Sequence, residues 1–400
     1  MKILHVLTQL PAKTGSGVYF SNLIESLNNL GVENAAIYGY EEGHEVRVKA
    51  DLIDEVIYDT KDLPFHICGM SDLMPYESTI YSKMTEAEID MLLGAFEEKL
   101  LKMKETFKPD LVISHHLFLV TDLVRRVFPK AKVVGISHGT DIRQIKKCQH
   151  FLHRLENLKD LDLVLTVTSA EDQAMVELLK IDPSKIRLVG GGYNQNVFYP
   201  SKEKRASDKI IIMYAGKISP SKGVFELAST VPLLAEANKN IEVHLVGNAS
   251  EEDKKILRAN AKNLENLKIY DAENQVIMAN HLRCADIFVL PSYFEALGLI
   301  AIEALACHKF AVTSQIEGLK TLLGPDLCSS GIIEFVDLPR IINVDQAVEE
   351  DKPAYVKRLV EKILLQVSRL DKEIFTEEIN QAIYCYSWDH IGKRIFEIIK

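Results

Sequence analysis

Two lysines beside two glycines form the segment whose residue types point most directly to phosphate chemistry. The pair Gly216-Lys217 follows an apolar run, and the pair Lys222-Gly223 precedes a stretch of helical periodicity. Ammonium groups near the start of a helix, beside its free N–H groups, are suited to hold a pyrophosphate. The spacing differs from that of a Walker A loop. A solvated loop is the alternative for this segment.

A second candidate segment runs from Pro291 to Glu303 and contains two carboxylates. Glu295 lies in a loop after an apolar run, where it is placed to accept hydrogen bonds from sugar hydroxyls. Glu303 lies in a very apolar helix that begins near Gly298. A buried carboxylate is unfavourable unless it accepts hydrogen bonds, so Glu303 requires donors such as ribose hydroxyls. A capping or solvent-facing glutamate is the alternative.

A shorter glycine loop, Gly15-Ser16-Gly17, follows the first apolar run of the chain. It lacks the third glycine of the dinucleotide fingerprint, so the sequence disfavours NAD as a ligand. Gly15 and Gly17 still allow a ligand to approach the backbone at a helix start, where the dipole favours a phosphate. A tight strand-to-helix turn is the alternative.

The elements that must position these loops alternate between strand-like apolar runs and longer helical stretches, which is typical of a parallel α/β sheet. In the first half we predict strands at 2–7, 35–40, 111–114, 132–137, 163–168 and 186–189, and helices at 18–30, 85–107, 118–127 and 170–179. In the second half we predict strands at 210–215, 242–246, 267–270, 287–290 and 310–313, with helices from Ser221, after Ser250 and through Glu303. We expect Ser219 or Ser221 to cap the first of these helices.

The repeated alternation predicts two Rossmann-like domains, which fits the length of 400 residues. The polar stretch 201–209 separates them as a linker. We therefore predict an N-terminal domain at 1–200 and a second domain at 201–384. A helix over 384–400 either caps the second domain or crosses back to the first. A ligand cleft between the halves is the natural expectation.

Composition excludes several classes of protein. A net charge of −10 makes nucleic acid an unfavourable partner, and no apolar run approaches the roughly 18 residues of a membrane span. Six cysteines without a paired spacing indicate reduced thiols. The N-terminus resembles a strand rather than a signal peptide, so we expect a cytoplasmic protein. A basic run at 143–154 has helical spacing and either faces an anionic acceptor or lipid surface or is a solvated helix face.

Taken in order, these motifs resemble the retaining glycosyltransferases of family 4, which have the GT-B fold. The resemblance rests on Gly216-Lys217 with Lys222-Gly223, on the run Ala285–Ser292, and on the two glutamates Glu295 and Glu303. It extends to the segment Gly192–Pro200 before the linker, and to Trp388 at the start of a C-terminal crossover helix. It therefore covers nearly the whole chain, and it implies that the helix at 385–400 belongs with the N-terminal domain.

The resemblance implies roles for particular residues. Lys217 and Lys222 would hold the donor diphosphate, Glu303 the ribose, and Glu295 the donor sugar near its reacting face. His138, within Ser137–Asp141, would lie beside the donor sugar, and with Glu295, Lys222 and Lys217 it forms the expected catalytic set. The further donor-binding positions would be Gly15, Gly17, Gly216, Ala296, Leu297, Gly298 and Leu299.

Some residues depart from the family pattern. Lys217 stands where arginine is usual, Asn194 replaces an aspartate, and Gly318-Leu319-Lys320 replaces a glycine pair followed by a glutamate. His115 and His116 end a predicted strand, and the sequence assigns neither of them a role.

The expected reaction is transfer of a sugar, with retention, from a nucleoside diphosphate sugar to a hydroxyl acceptor. The expected donor is a UDP-sugar, and we expect no metal and no cofactor, since lysines and helix N-termini can stabilise the departing diphosphate. The acceptor is not identified, and peripheral contact with a membrane or a lipid-linked acceptor stays open. The loops at 41–45 and 59–81 are expected to select it.

Three other functions compete with this interpretation. A nucleotide-sugar epimerase would change the sugar without an acceptor. A non-catalytic nucleotide-sugar-binding protein would keep the pocket but transfer nothing, which the intact set of candidate residues disfavours. An oxidoreductase is disfavoured by the incomplete glycine fingerprint.

Overall fold

The computed structural model describes residues 1–201, 208–272, 274–343 and 345–400. The chain divides into two compact units. The first unit comprises Met1–Gly191 and Trp388–Lys400, and the second comprises Gly192–Ser387. The boundary predicted after residue 200 lies nine residues downstream of the one after Gly191 in the structure, and the boundary predicted after residue 384 lies three residues upstream of the one after Ser387. Most of the predicted linker, at 202–207, lies outside the described residues.

The first unit is built on a parallel sheet of seven strands. The strands of this unit are β1 (Lys2–Leu7), β2 (Glu33–Tyr40), β3 (Leu52–Ile57), β4 (Cys68–Gly69), β5 (Thr79–Ile80), β6 (Leu111–His115), β7 (Lys132–Ser137), β8 (Leu163–Thr166) and β9 (Ile186–Leu188). Its helices up to residue 191 are α1 (Gly15–Asn29), α2 (Glu86–Thr106), α3 (Leu119–Val127), α4 (Asp141–Lys147) and α5 (Asp172–Leu179), with 3₁₀ turns between them. The main sheet has the order β3-β2-β1-β6-β7-β8-β9, and β4 and β5 pair separately.

The second unit repeats this architecture with a parallel sheet of six strands. Its strands are β10 (Ile210–Ala215), β11 (Ile241–Val246), β12 (Leu267–Tyr270), β13 (Ile287–Leu290), β14 (Phe310–Ser314), β15 (Ile333–Val336), β16 (Ile341–Ile342) and β17 (Gln346–Ala347). Its helices are α6 (Val224–Ala237), α7 (Glu251–Asn260), α8 (Gln275–Cys284), α9 (Leu299–Ala306), α10 (Glu317–Ser329), α11 (Lys352–Val367) and α12 (Glu377–Tyr384). The main sheet has the order β12-β11-β10-β13-β14-β15, and β16 and β17 form a small antiparallel pair.

In both units the strand order reverses direction next to the first strand. In the first unit β1 lies between β2 and β6, and in the second β10 lies between β11 and β13. Helices cover both faces of such a sheet, so its central strands are buried and read as continuous apolar runs. Loops leaving the carboxyl ends of the two strands at this reversal diverge and leave room for a ligand.

The last helix, α13 (Trp388–Ile399), belongs to the first unit and packs on α1. Ser26 Oγ on α1 donates a hydrogen bond to the Trp388 carbonyl at 2.8 Å. Gly392 allows this approach, because a Cβ atom there would lie 1.9 Å from Ser26 Oγ. The Lys132 ammonium donates to the Ile399 carbonyl at 2.8 Å and holds the far end of the helix. The crossing-back alternative is therefore the one that the chain adopts.

The α/β fold class is confirmed, with the predicted strands present to within two or three residues at each end. Three finer predictions are wrong. The helix expected over 384–400 is interrupted at Cys385–Ser387, where Ser387 pairs with Tyr193 as an isolated bridge. The other two concern the helix expected from Ser221 and the basic run at 143–154.

The helix expected from Ser221 begins at Val224, after a 3₁₀ turn at Pro220–Lys222. Its N-cap is Gly223, in a left-handed conformation, and neither Ser219 nor Ser221 caps it. Because a left-handed residue cannot continue a right-handed helix, the turn and the helix are separate elements.

The basic run at 143–154 does not form one helical face. Helix α4 ends at Lys147, and a 3₁₀ helix follows from Gln149 to Arg154. Lys147 pairs with Asp72, and Arg154 pairs with Glu86 and with Asp90 at 2.7 Å. Part of the positive charge of this run is therefore matched by acidic side chains of the same unit.

Among the described residues, no helix is both long enough and apolar enough to cross a lipid bilayer.

Candidate functional site

Lys222 and Glu295 lie in direct contact in the second unit. The Lys222 ammonium donates to Glu295 Oε1 at 2.7 Å, and Ser292 Oγ donates to the same oxygen at 2.9 Å. The loops that carry them leave the carboxyl ends of β10 and β13, which are neighbours in the parallel sheet. The two predicted segments therefore meet at one edge of the sheet, where the strand order reverses.

Gly223 allows these two loops to approach each other closely. Its φ of 64° is in the left-handed region, and a Cβ atom there would lie 2.1 Å from the Pro291 carbonyl oxygen. The Tyr293 N–H donates to the Ser221 carbonyl at 2.9 Å, and Tyr355 donates its hydroxyl to the Pro291 carbonyl at 2.9 Å. The backbone around Lys222 is thus fixed by contacts that only glycine permits at residue 223.

Lys217 is placed differently from Lys222. Its side chain is exposed, and within the described residues its ammonium has no hydrogen-bond or ion-pair partner. Its carbonyl accepts a hydrogen bond from the Tyr214 hydroxyl at 2.8 Å, which holds the loop after Gly216 against β10. The structure therefore does not bring the two lysines into contact with a common partner, and Lys217 keeps an ammonium that is available for an anion.

Glu303 lies in α9, one of the most apolar helices of the chain. Burial raises the pKa of its carboxyl group to about 7. The part of the chain that the structure describes offers this carboxyl no hydrogen-bond donor. A half-buried carboxyl with an elevated pKa and no donor is the kind of group that binds hydroxyls of a ligand.

The remaining predicted positions of this unit form the turn before α9. Ala296 and Leu297 lie in the loop, Gly298 is the N-cap in a left-handed conformation, and Leu299 is the first helical residue. The first N–H groups of an α-helix have no acceptor within the helix, so this turn can donate to an anion.

In the glycine loop of the first unit, packing requires a glycine at residue 17, whereas the space around Gly15 is open. A Cβ atom on Gly17 would lie 2.6 Å from the Leu10 carbonyl oxygen, whereas one on Gly15 would meet no atom within 4 Å. Thr14 caps α1 by accepting a hydrogen bond from the Gly17 N–H at 3.0 Å. Both interpretations of the loop therefore apply, a tight turn at Gly17 and an open approach to the backbone at Gly15.

This loop and His138 line the same cavity, of about 320 Å³. Its polar lining includes Gln9, Lys13, Thr14, Ser16, His116 and Thr140. The Gln9 amide donates to Thr14 Oγ1 at 3.0 Å and to Ser16 Oγ at 2.5 Å, so the hydroxyls are held in place. The structure therefore brings together Gly15 and His138, which the sequence places far apart.

His138 is packed among other rings. Its Nε2 lies 3.1 Å from Nδ1 of His115, and the two ring planes are nearly parallel, with an interplanar angle of 13°. The Tyr19 ring meets His138 edge-on at 5.1 Å. Burial is the main cause that lowers the pKa of both His115 and His138 well below the usual value, so both rings are neutral near pH 7.

Asp141 organises the loop that carries His138. Its carboxylate accepts hydrogen bonds from the Leu117 N–H at 2.5 Å and from the His138 N–H at 3.1 Å, and His116 Nδ1 lies 3.3 Å away. Burial opposes ionisation, but the adjacent histidines and these donors lower the pKa of Asp141 to about 2. The carboxylate thus fixes the ends of β6 and β7 relative to each other.

Glu171 is a candidate that the sequence analysis missed. Its carboxyl group accepts a hydrogen bond from Ser137 Oγ at 3.4 Å, one residue before His138. Burial, together with the nearby charge of Asp141, raises its pKa to about 7. The sequence signal was weak, because Glu171 lies in a short 3₁₀ turn that is distant in sequence from the other candidates.

Within the described ranges, one group of three possible metal ligands lies close together: Glu41, Asp59 and His66. Glu41 already accepts hydrogen bonds from His66 Nδ1 at 2.9 Å and from the Ile67 N–H at 3.2 Å. The hydrogen bond with Glu41 is the main cause that raises the pKa of His66. Glu41 and His66 therefore form an ion pair that holds a loop of the first unit.

Comparison with known proteins gives a match to the second unit and a match to the whole fold. Residues 198–334 match the family model described as glycosyl transferases group 1. A D-inositol 3-phosphate glycosyltransferase of Segniliparus rotundus is 26% identical over 184 residues, which cover 43% of this chain and 40% of that protein. The protein of the same name from Kribbella flavida is 24% identical over 306 residues, covering 68% and 72% of the two chains.

The sucrose-phosphate synthase of Thermosynechococcus elongatus has a similar solved structure, with a TM-score of 0.69 at 16% identity. The alignment covers 100% of this chain and 98% of that one. All the donor-site candidates of the second unit, from Gly216 to Glu303, fall inside the matched residues 198–334. The chain therefore has the GT-B fold, and its residues 198–334 match the glycosyl transferases group 1.

Proposed function

We propose that the chain is a retaining glycosyltransferase that transfers a sugar from a UDP-sugar to a hydroxyl acceptor without a metal ion. The observation that carries this proposal is the contact between Lys222 and Glu295 at the strand reversal of the second unit. It lies within the segment that matches the group 1 glycosyltransferases, with Glu303 on the following helix. Cytoplasmic location is part of the proposal.

In this proposal Lys222 and Lys217 bind the diphosphate of the donor. An ammonium has three N–H groups, so Lys222 can donate to a phosphate oxygen while it keeps Glu295 as a partner. As the bond between the anomeric carbon and the phosphate oxygen breaks, negative charge develops on the diphosphate. Preorganised ammonium groups and helix N–H groups stabilise that charge. The account requires no metal, because these groups supply the positive potential.

Glu303 accepts hydrogen bonds from the ribose hydroxyls in the proposed complex. This role explains why a carboxyl is retained in so apolar a helix, since the ligand supplies the donors that the protein lacks. Glu295, held by Lys222 and Ser292, accepts from hydroxyls of the donor sugar. His138 contributes to the sugar site from the first unit, as the family resemblance implies.

Retention follows in this proposal if the acceptor attacks the face from which the diphosphate leaves. The acceptor oxygen forms the new bond to the anomeric carbon, and its proton passes to an oxygen of the departing phosphate. The proton and the electron pair of the broken bond both end on the nucleoside diphosphate. The proposed acceptor carries a hydroxyl group, and this class includes lipid-linked acceptors.

The test is a transfer assay with UDP-sugars and GDP-mannose in the presence of a chelator. D-Inositol 3-phosphate is the first acceptor to test, because two similar proteins carry it in their names. NMR would follow both the release of nucleoside diphosphate and the anomeric configuration of the product. The proposal predicts transfer with retention and without added metal.

Matched variants sharpen the assay. Lys222→Ala should abolish most transfer, while Lys239→Ala, which changes an exposed lysine of the same unit, should not. Inversion at the anomeric carbon, or an absolute need for metal, would contradict the mechanism. A change in the donor sugar without an acceptor would indicate an epimerase, and binding without any turnover would indicate a nucleotide-sugar-binding protein.

A further inference from the structure

His115 is a buried histidine, and within the described residues its ring forms a hydrogen-bond contact with the candidate His138 alone. His115 is 1% exposed, its Nδ1 faces His138 Nε2 at 3.1 Å, and its Nε2 is buried without a hydrogen-bond partner in the described chain. Phe20 meets the His115 ring edge-on at 5.0 Å and Tyr19 at 6.2 Å, which closes the site around it. Among the described residues, His138 is therefore the one group within hydrogen-bond distance of the His115 ring.

The contact between the two rings contains a single proton. Both rings are neutral, so one of the two facing nitrogens carries a hydrogen and the other a lone pair. If His115 donates, its buried Nε2 is a bare acceptor and His138 carries its own proton on Nδ1. If His138 donates, the buried Nε2 of His115 carries a hydrogen without an acceptor, and Nδ1 of His138 is bare.

Two other histidines of this unit show which arrangement the surroundings favour. His5 Nε2 lies 2.9 Å from Asn34 Oδ1, and the amide nitrogen of Asn34 donates elsewhere, so the oxygen must accept and His5 must donate. His116 Nδ1 donates to the Asp141 carboxylate. The other ring nitrogen of each, His5 Nδ1 and His116 Nε2, is buried without a partner.

In His5, the nitrogen left without a partner is therefore the bare acceptor. A buried N–H without an acceptor is the less favourable of the two defects, because nearly all buried donors in proteins are paired. The same rule applied to His115 makes its Nε2 the bare nitrogen and its Nδ1 the donor.

We propose that His115 is a positioning residue that donates its Nδ1 proton to His138 Nε2, and so holds the proton of His138 on Nδ1. The Nδ1 atom of His138 has no hydrogen-bond partner in the described chain and is not sealed from solvent. His138 also lines the cavity that contains Thr14, Gly15 and Ser16. His138 is thereby fixed as a hydrogen-bond donor toward the ligand.

The consequence for catalysis rests on the proposed function. A donor at Nδ1 suits an oxygen of the bound sugar substrate, whereas a bare nitrogen could only accept a hydrogen bond from a sugar hydroxyl. His115 would thus act on the reaction only through His138, without contact with the substrate.

The direct test is the ¹⁵N NMR spectrum of the histidine rings in the free wild-type protein at a pH where the rings are neutral. Protonated and bare ring nitrogens have well separated shifts, and signals absent from His138→Gln identify residue 138. The inference predicts a protonated Nδ1 and a bare Nε2 for His138, and the same pattern for His115. A protonated Nε2 on His138 would overturn it.

Two variants of His115 provide a second readout. His115→Phe keeps a ring but removes the donor, so the proton of His138 should move to Nε2 or divide between the two nitrogens. His115→Asn places an amide N–H near the position of Nδ1 and should restore the wild-type pattern. If His138 keeps the Nδ1 proton in a folded His115→Phe protein, His115 does not position it.

Kinetics then connect the tautomer to the reaction. For His115→Phe we expect kcat to fall about a hundredfold with little change in KM, and His115→Asn should recover most of the loss. The two proposals can fail separately. A correct tautomer in a protein that transfers no sugar would overturn the proposed function alone, and a wrong tautomer in an active transferase would overturn this inference alone.

Discussion

The candidate histidines of the first unit are uncharged, whereas Lys222 and Glu295 of the second unit are charged and paired with each other. In the first unit, the rings of His115 and His138 are neutral and hydrogen-bonded to each other, next to a loop fixed by Asp141. In the second unit, Lys222 and Glu295 form an ion pair whose side chains are 28% and 22% exposed. A neutral, fixed donor suits the hydroxyls of a sugar, whereas a partly exposed ammonium suits the charge of a diphosphate. In the proposed function, this difference assigns the sugar to the candidate residues of the first unit and the diphosphate to those of the second.

The largest effect is expected from removing the charge in the second unit. Lys222→Ala should lower kcat by about 10²–10³-fold, because one preorganised donor to the developing charge is lost. It should also weaken nucleotide binding, since Glu295 then faces the diphosphate without its partner. Steady-state kinetics and UDP titration measure both effects.

The control for this prediction separates the effect of losing the Lys222 ammonium from the effect of leaving the Glu295 carboxylate unpaired. In Lys222→Ala/Glu295→Gln the unpaired carboxylate is gone, so nucleotide binding should partly recover while kcat stays low. Full turnover in Lys222→Ala would exclude the diphosphate role of this lysine.

The next effect concerns the loop contact that holds Lys222. Gly223→Ala should destabilise the second unit by on the order of 3 kcal/mol, because the new Cβ atom would lie 2.1 Å from the Pro291 oxygen. Gly31→Ala is the matched control in the first unit. Its φ of 76° is similar, but no atom lies within 4 Å of the new Cβ, so only backbone strain of about 1 kcal/mol is expected. Chemical unfolding measures both, and equal losses would show that the close contact is unimportant.

A smaller pair of effects comes from the two glutamates with raised pKa values, Glu303 and Glu171. Their pKa values are about 7 in the folded state and about 4.5 in the unfolded state. The folded protein therefore binds more protons between these values, and its free energy of unfolding falls as pH rises from about 4.5 to 7. Glu303→Gln should remove on the order of 2 kcal/mol of this fall. Glu171→Gln should remove less, because its carboxyl group lies less deep in the protein than that of Glu303 and solvent screens it more.

Unfolding curves of the wild type, Glu303→Gln and Glu171→Gln between about pH 4.5 and 7 test both predictions. If Glu303→Gln keeps the full wild-type slope, the carboxyl of Glu303 does not have a raised pKa in the folded protein.

The smallest effect is the loss of a helix cap in each unit. Thr14→Ala and Thr376→Ala each remove a hydroxyl that accepts from a helix N–H, so each should lose about 1 kcal/mol of stability. Only Thr14 lines the cavity with His138, so only Thr14→Ala should also lower transfer activity. Equal activity in the two variants would remove Thr14 from the proposed site.

The strands of both sheets could be predicted because buried parallel strands are continuous apolar runs. The sequence 132–137 and the sequence 287–290 are examples, and the structure has strands at the same residues. Strand β3 was missed because it lies at the edge of its sheet and only Val56 is fully buried. An edge strand does not need the apolar pattern that identifies a central one.

The candidate residues could be predicted by type and position, but their partners could not. The order of strands brings the end of β6 beside the end of β7, and this register places His115 against His138. Nothing in the local sequence specifies that contact. The start of α6 was predicted at a serine because serines are common caps, yet the close approach of Pro291 requires Gly223 there.

Calorimetric titration of UDP, with a chelator present, into the wild type, Glu303→Gln and His138→Gln tests whether the nucleotide binds the second unit independently of His138. In the proposed function, the nucleoside diphosphate binds the second unit and the sugar contacts His138. The proposed function predicts that UDP binds the wild type without metal, that Glu303→Gln weakens binding about tenfold or more, and that His138→Gln leaves the Kd for UDP unchanged. No binding to the wild type, or equal affinity in the wild type and Glu303→Gln, would contradict it.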